Sequence, residues 1–385
     1  MRALLIVLDS VGIGHAPDAA EYGDEGADTL GHLLDRVPGL KGALPNCWKL
    51  GLGNILNPDP VEAPVAAYGR MRPQSAGKDS TTGHWELAGV VLEEPFGVFE
   101  RFPPSLVSAI EAEADVRFIG NFAASGTQII EDLGPEHLRT GRPILYTSAD
   151  SVLQIAAHEE RFPVGRLYEI CRVARRLADA YRIGRVIARP FVGTAGTFVR
   201  TGGRHDFSMH PPGTVLDAIS EAGIPVTGIG KISDLFDGAG ISASYPTADN
   251  DEGMREIADI WRRTREGLVF ANLVDFDAVY GHRRDAEGYA RALAEFDRWL
   301  GEFLPRCRED DLLVITADHG NDPTFRGTDH TREEVPVLVG HRALAGDLGC
   351  RDTFADVAAT LALFFGVEYR GAGVAFSVRQ GAAVR

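Results

Sequence analysis

The residues best suited to chemistry stand in one short stretch, DLLVITADHGNDPTFRGTDH, residues 311–330. An apolar run, Leu312 to Ile315, gives way at once to Asp318, His319, Asn321, Asp322, Asp329 and His330. Carboxylates and imidazoles crowded at the end of an apolar strand serve packing badly. They serve metal binding and proton transfer well. The arrangement recurs. Residues 3–8 form an apolar run ended by Asp9, and GLVFANLVDFD ends in Asp275 and Asp277, with His282 five residues beyond. Asp9 alone reads equally well as a turn or helix cap. Three strand-end clusters together supply enough Asp and His ligands for two divalent ions. Mixed imidazole and carboxylate suit Mn²⁺, Zn²⁺ or Fe²⁺ better than Ca²⁺ or hydrated Mg²⁺, and no cysteine falls in any cluster, as a structural zinc site would require. Two ions about 4 Å apart stabilise both the attacking and the leaving oxygen of an in-line phosphoryl displacement. They also activate a hydroxyl as nucleophile. Candidate hydroxyls stand in QSAGKDSTTGHWELAGV, where Ser75, Ser80, Thr81 and Thr82 precede a helix expected over Trp85–Ala88. Capping is the ordinary role for hydroxyls at a helix start, but the same place attracts phosphate. Spacing leaves Asp275 against Asp277, Asp322 against Asp329, and Ser80 against Thr81 and Thr82 open.

The elements that must carry these residues alternate strand and helix. Strands are expected at 3–8, at IPVTGIG, through GLVFANLVDFD, at 312–315 and at VPVLVG, with helices near TVLDAISEAG, 254–266, Ala286–Leu304 and Thr353–Phe365. Such alternation predicts an α/β fold with a mostly parallel sheet flanked by helices. Ligands of such sheets gather at the carboxyl ends of the strands. If GLVFANLVDFD is strand throughout, Asp275 and Asp277 share one face of it. The glycines of DSVGIG lack the third glycine and the distant acid of a dinucleotide fingerprint. The pattern changes between 95 and 211, where LYEICRVARRLADAY reads as an amphipathic helix and GRVIARPFVGTAGTFVRTGGRHDF as a strand followed by a basic loop, with Arg185, Arg189, Arg200, Arg204 and His205 making the segment locally positive. That loop is either a solvated edge or an anchor for phosphate. The expected organisation is a core of residues 1–94 and 212–385 with an inserted α+β domain of residues 95–211.

Composition bounds the function. With 385 residues and a net charge of −16, the chain lacks the basic footprint that nucleic acid or an anionic membrane requires. Local arginines, lysines or metal ions can still hold a phosphate substrate. Four scattered cysteines without a C-x-x-C pair suggest a reducing compartment. The apolar run Ala3–Leu8 is too short for a signal-peptide core, and nothing approaches the length of a membrane span. A cytoplasmic enzyme of small metabolites is expected, with no obligate protein partner.

Seven segments carry a resemblance. LDSVGIGHAPDA, GKDSTTGHWE, YTSADSVLQIAAHEE, GRVIARPFVG, GKISDLFDG, NLVDFDAVYGHRRD and TADHGNDPTFRGTDHTRE are similar, nearly end to end, to the phosphopentomutase family of the alkaline phosphatase superfamily. The resemblance implies an alkaline-phosphatase-like core with an inserted cap domain over the active site. It implies interconversion of α-D-ribose 1-phosphate and D-ribose 5-phosphate, with the deoxyribose analogues, using two Mn²⁺ ions and a sugar bisphosphate to prime the enzyme. By motif, Asp9, Asp318 and His319 would hold one ion, and Asp277, His282 and His330 the other. Asp322 and Asp329 then become supporting residues. Asp150, Arg185, Lys231 and Arg204 match substrate-contacting positions. The family's nucleophile is the threonine after Asp in its GKDT motif; here that position is Ser80. The Ser80 departure admits a related phosphomutase or phosphohydrolase with altered substrate. A phosphoglycerate mutase, which also uses serine and two Mn²⁺ ions, would lack the TSADS, GRVIARP and GKISD segments.

Overall fold

A computed structural model describes residues 1–56, 60–148 and 151–376. They divide into two compact units, Met1–Glu94 with Pro211–Arg385, and Pro95–His210.

The strands in chain order are β1 (Arg2–Leu8), β2 (Ala67–Met71), β3 (Ile119–Ala123), β4 (Ile144–Thr147), β5 (Val152–His158), β6 (Arg185–Val192) and β7 (Val199–Arg200), followed by β8 (His205–Ser208), β9 (Val226–Ile229), β10 (Ala243–Tyr245), β11 (Gly267–Leu273), β12 (Leu312–Thr316), β13 (Val335–Gly340) and β14 (Gly346–Arg351). The first unit holds an eight-stranded sheet in the order β10-β9-β11-β1-β12-β13-β2-β14. β1 lies between β11 and β12 and runs parallel to both. Every residue of these three strands is buried. That removes the in–out alternation of a half-exposed sheet and marks strands covered on both faces. β13 alone is antiparallel to its neighbours, so the sheet is mostly parallel, as expected. The carboxyl ends of β9, β11, β1 and β12 therefore open on one edge.

Two local expectations are corrected. The apolar run of GLVFANLVDFD is strand only to Leu273, and Phe276–Gly281 is a π-helical turn. The ladder stops because β1 ends at Leu8, where the Asp9 N–H donates to the Leu273 carbonyl at 3.2 Å. Asp275 and Asp277 thus do not share a strand face. Asp275 turns away to accept from the Asn250 N–H (2.8 Å), the first residue of the helix Asn250–Arg263. The second correction concerns the hydroxyls. The helix begins at Ser80, not at Trp85, because Asp79 is the N-cap: its carboxylate accepts from the Thr82 N–H (3.1 Å) and Oγ1 (2.6 Å). With a carboxylate filling the cap, Ser80 and Thr81 are not needed there.

The second unit has a six-stranded mixed sheet, β3-β4-β5-β6-β7 with β8 also on β6. One face packs Leu153, Ile155, Val186 and Ala188 against Leu106, Ile110, Leu167, Ile170 and Ala174 of the helices Pro104–Glu113 and Val164–Ala178. The other gathers Ile144, Tyr146, Ala156 and Phe191 beneath Ile129 and Ile130 of the helix Gln128–Thr140.

Candidate metal centre

The site lies on the edge where β1, β11 and β12 end. Asp9 follows β1 directly and is fully buried. Ser10 takes φ +74°, unusual for a residue with a side chain. It is held there by its N–H donating to Asp318 Oδ1 (3.0 Å) and its Oγ on Tyr289 Oη (3.0 Å). Asp277 and His282 sit at the two ends of the π turn. The His282 N–H bonds the Asp277 carbonyl (3.0 Å), an i→i+5 step that puts both side chains on one side, His282 Nε2 to Asp277 Oδ2 at 3.2 Å. Such turns are frequent at functional sites. Asp318 and His319 follow β12. His330 comes back to them because Gly320 and Thr331 pair across the base of the intervening loop, each N–H donating to the other carbonyl (3.1 and 2.8 Å).

Ligand atoms of Asp277, His282 and His330 lie within 4.8 Å of one another, as do those of Asp9, Asp277 and His319. Asp277 belongs to both groups. Asp318 is in neither, but its Oδ2 is 3.3 Å from His319 Nε2. Ser80 Oγ is 3.1 Å from His319 Nε2 and 3.5 Å from Asp9 Oδ1. Lys231 Nζ is 3.5 Å from Asp9 Oδ2. Asp322 is held by His32 Nδ1 (2.5 Å), the Asp28 N–H and Thr324, and Asp329 by Lys78 (3.4 Å), so both support the surrounding loops. In the second unit, Arg185 (3.6 Å) and Arg204 (2.6 Å) share Asp206. Asp150 lies outside the described residues.

The charge of this cluster and one orphaned atom test whether cations fit. Asp9, Asp277 and Asp318 are each at most 4% exposed. Burial alone would lower the His319 imidazole, but the Asp318 carboxylate, with Asp9 and Asp277, raises it to about 10. Burial alone would likewise raise Asp318, yet His319, with His84 and the Ser10 N–H, draws it to about 2. The cluster thus demands positive charge, and an imidazolium supplies part of it. Asp318 Oδ2 is buried without a hydrogen bond. His84 Nδ1 stands 3.0 Å away but lies closer to the Ser80 carbonyl, at 2.8 Å. A buried anionic oxygen without a donor is costly, and a divalent cation would satisfy it. The residues fit the metals that the sequence implies.

His84 and Asn272 were not legible as site residues. His84, one helical turn after Ser80, reaches Asn272 through Nε2 (3.3 Å), and Asn272 Nδ2 reaches Asp9 Oδ2 (3.3 Å). The one available signal was a lone amide in the apolar run GLVFANL. Glu333 was missed too. It accepts from the Thr29 N–H and Oγ1, Thr331 Oγ1 and the Gly14 N–H, and burial pushes its carboxyl up to about 7.

Residues 1–369 match the model of the Metalloenzyme superfamily. A phosphopentomutase of Syntrophotalea carbinolica is 56% identical over 377 residues, 96% of each chain. One of Symbiobacterium thermophilum is 53% identical over 385 residues, 98% of each. One of Caldanaerobacter subterraneus is 52% identical over 384 residues, 97% of each.

Proposed function

We propose that this chain, which belongs to the phosphopentomutase family of the metalloenzyme superfamily, interconverts α-D-ribose 1-phosphate and D-ribose 5-phosphate, and the deoxyribose analogues, with Ser80 as nucleophile. The family membership makes it an intramolecular phosphotransferase that uses metal ions. The observation that carries the finer reading is the place of the Ser80 hydroxyl, against His319 Nε2 and Asp9 Oδ1 at the first residue of a helix.

Asp9, Asp318 and His319 would hold one ion and Asp277, His282 and His330 the other, with Asp277 close enough to both groups to be shared. Mixed imidazole and carboxylate ligands accept Mn²⁺ as they do Zn²⁺ or Fe²⁺, and the family resemblance selects Mn²⁺ for both positions. When bound, the ions neutralise charge on the transferring phosphoryl group and make the Ser80 hydroxyl more acidic.

The chain's own residues do the rest. Asp79 fixes the helix start so that Ser80 presents its Oγ to the cluster. The positive end of the helix favours the phosphoryl group there. Phosphorylated Ser80, first primed by a sugar bisphosphate, donates its phosphoryl group to a pentose monophosphate and leaves a free serine. The pentose 1,5-bisphosphate so formed then returns its other phosphate to Ser80. Arg185, Lys231 and Arg204 would hold the remote phosphate, and Asp150 would contact the substrate. We place the reaction in the cytoplasm, a reading that four free thiols support.

Ribose 1-phosphate conversion assayed with Mn²⁺, with free phosphate followed in parallel, tests this reading. Stoichiometric ribose 5-phosphate is expected, and phosphate release in its place would make the protein a hydrolase. Ser80→Ala should abolish conversion; near-normal turnover would remove Ser80 from the role.

A further inference from the structure

Asp277 belongs to both ligand groups, so whatever orients its carboxylate acts on both ions at once. Its Oδ1 accepts from Asn321 Nδ2 at 2.7 Å, and Asn321 is fully buried. A primary amide can sit either way round, with donor and acceptor exchanged. The choice is made by Arg284. Its Nη1 donates to Asn321 Oδ1 (2.9 Å), and a guanidinium can only donate, so the amide oxygen must face it and the NH₂ must face Asp277. The same Nη1 donates to the Asp322 carbonyl (2.7 Å), and Nε donates to the Gly327 carbonyl. One side chain therefore fastens the loop between His319 and His330 and sets the amide that aims Asp277.

The backbone shows what this placement requires. Arg284 has φ +58°, a left-handed conformation that a long side chain takes only where the surroundings hold it. It joins the π turn to the helix Ala286–Phe303, which Asp285 caps through the Gly288 N–H (2.8 Å). Glycine would serve the turn without strain, so the turn alone does not account for an arginine. Close approach of the amide also depends on Gly281, where a Cβ would stand 2.8 Å from Asn321 Nδ2.

We propose that Arg284 is a positioning residue that, through Asn321, orients the Asp277 carboxylate and thereby sets the affinity of the site for divalent cations. The inference rests on the reading of Asp277 as a metal ligand. Partners that orient metal ligands commonly change affinity by about 10- to 100-fold when removed.

The test titrates Mn²⁺ calorimetrically into the chelator-stripped full chain and its variants, with thermal melts of the metal-free forms alongside. Arg284→Gly keeps the turn and removes the relay. It should weaken Mn²⁺ binding by about 10- to 100-fold in a chain that still melts cooperatively without metal. Asn321→Ala should weaken binding similarly, and the double variant should lose little more than either single one, since both cut one path. Arg284→Lys keeps the charge without the fork and should also bind more weakly, which preserves the test if the glycine variant fails to fold. Wild-type affinity in the folded Arg284 variants, or losses that simply multiply in the double variant, would overturn the proposal. A fall in metal-free melting temperature with affinity unchanged would reduce Arg284 to a structural role and overturn it equally. If the wild-type chain itself binds no Mn²⁺, the metal reading fails, not this one alone.

Discussion

Asp277 is the residue common to both candidate ligand groups. Asp277→Asn keeps its shape but removes its charge. It should lower bound metal at both positions and cost more activity than His282→Asn, which touches one group only; metal content by mass spectrometry and kcat/KM check this. A variant retaining one fully occupied position would contradict the shared role. His319 carries a second expectation. Its imidazole is raised from an ordinary value of about 6.5 to about 10 by the carboxylates around it. The metal-free fold therefore holds a proton that the unfolded chain releases earlier as pH rises. That stabilisation is complete below about pH 6.5 and is lost as pH climbs through about 10. Melting of chelated protein should weaken across this window. Mn²⁺ binding near pH 8 should release protons, visible as a dependence of the calorimetric heat on the buffer.

At the scale of elements, caps and turns decide where chemistry is presented. The helix Val215–Glu221 opens with a reciprocal capping box, Thr214 Oγ1 accepting from the Asp217 N–H (3.3 Å) and Asp217 Oδ2 accepting from the Thr214 N–H (2.7 Å). Thr214→Ala should cost about 1 kcal/mol, read as a lower urea midpoint, with kcat unchanged because the cap touches no site residue. In the second unit, the helix Gln128–Thr140 is tied to β5 by His137. Its Nδ1 donates to the Arg142 carbonyl (2.7 Å), and its Nε2 accepts from the His158 N–H (2.9 Å). The second bond needs the neutral ring, since a protonated Nε2 cannot accept. Burial, with His158 and Arg161, holds the imidazole below its ordinary value, against the pull of the Arg142 carbonyl. The unfolded chain then takes up a proton first, so stability falls as pH drops below about 6.5. His137→Asn cannot titrate, and its melting temperature should fall less than that of wild type between about pH 7 and 5.5. An equal acid slope in both proteins would count against this.

At the scale of the whole molecule, a chain of net charge −16 sinks several carboxylates into one sheet edge. Metal ions bound only by the fold stabilise it by mass action, by about 2.7 kcal/mol when free ion is 100-fold above Kd. Chelation should therefore lower the melting temperature, and Mn²⁺ should restore it in a concentration-dependent way. A melting temperature indifferent to chelator would show that the carboxylates are neutralised by the protein alone. No described helix is long and apolar enough to cross a membrane.

Much of this was legible in the chain. Fully buried runs at 3–8 and 312–315 announced parallel strands, and acid residues directly after them announced a site, because strand direction and burial follow from local pattern. The motifs named the candidate ligands and Ser80, side chains that the fold gathers at one sheet edge. Other features depended on partners distant in sequence. Leu273 ends its strand because β1 ends beside it, so Asp277 enters a π turn that no periodicity in its own segment marks. Only the fold brings Asp277 within reach of both His319 and His330, leaves Asp318 Oδ2 without a donor, and lets Arg284 choose the orientation of the Asn321 amide. Sequence fixes which groups a chain owns and which elements they terminate. Which atoms face one another is set by packing across hundreds of residues, and that geometry decides their chemistry.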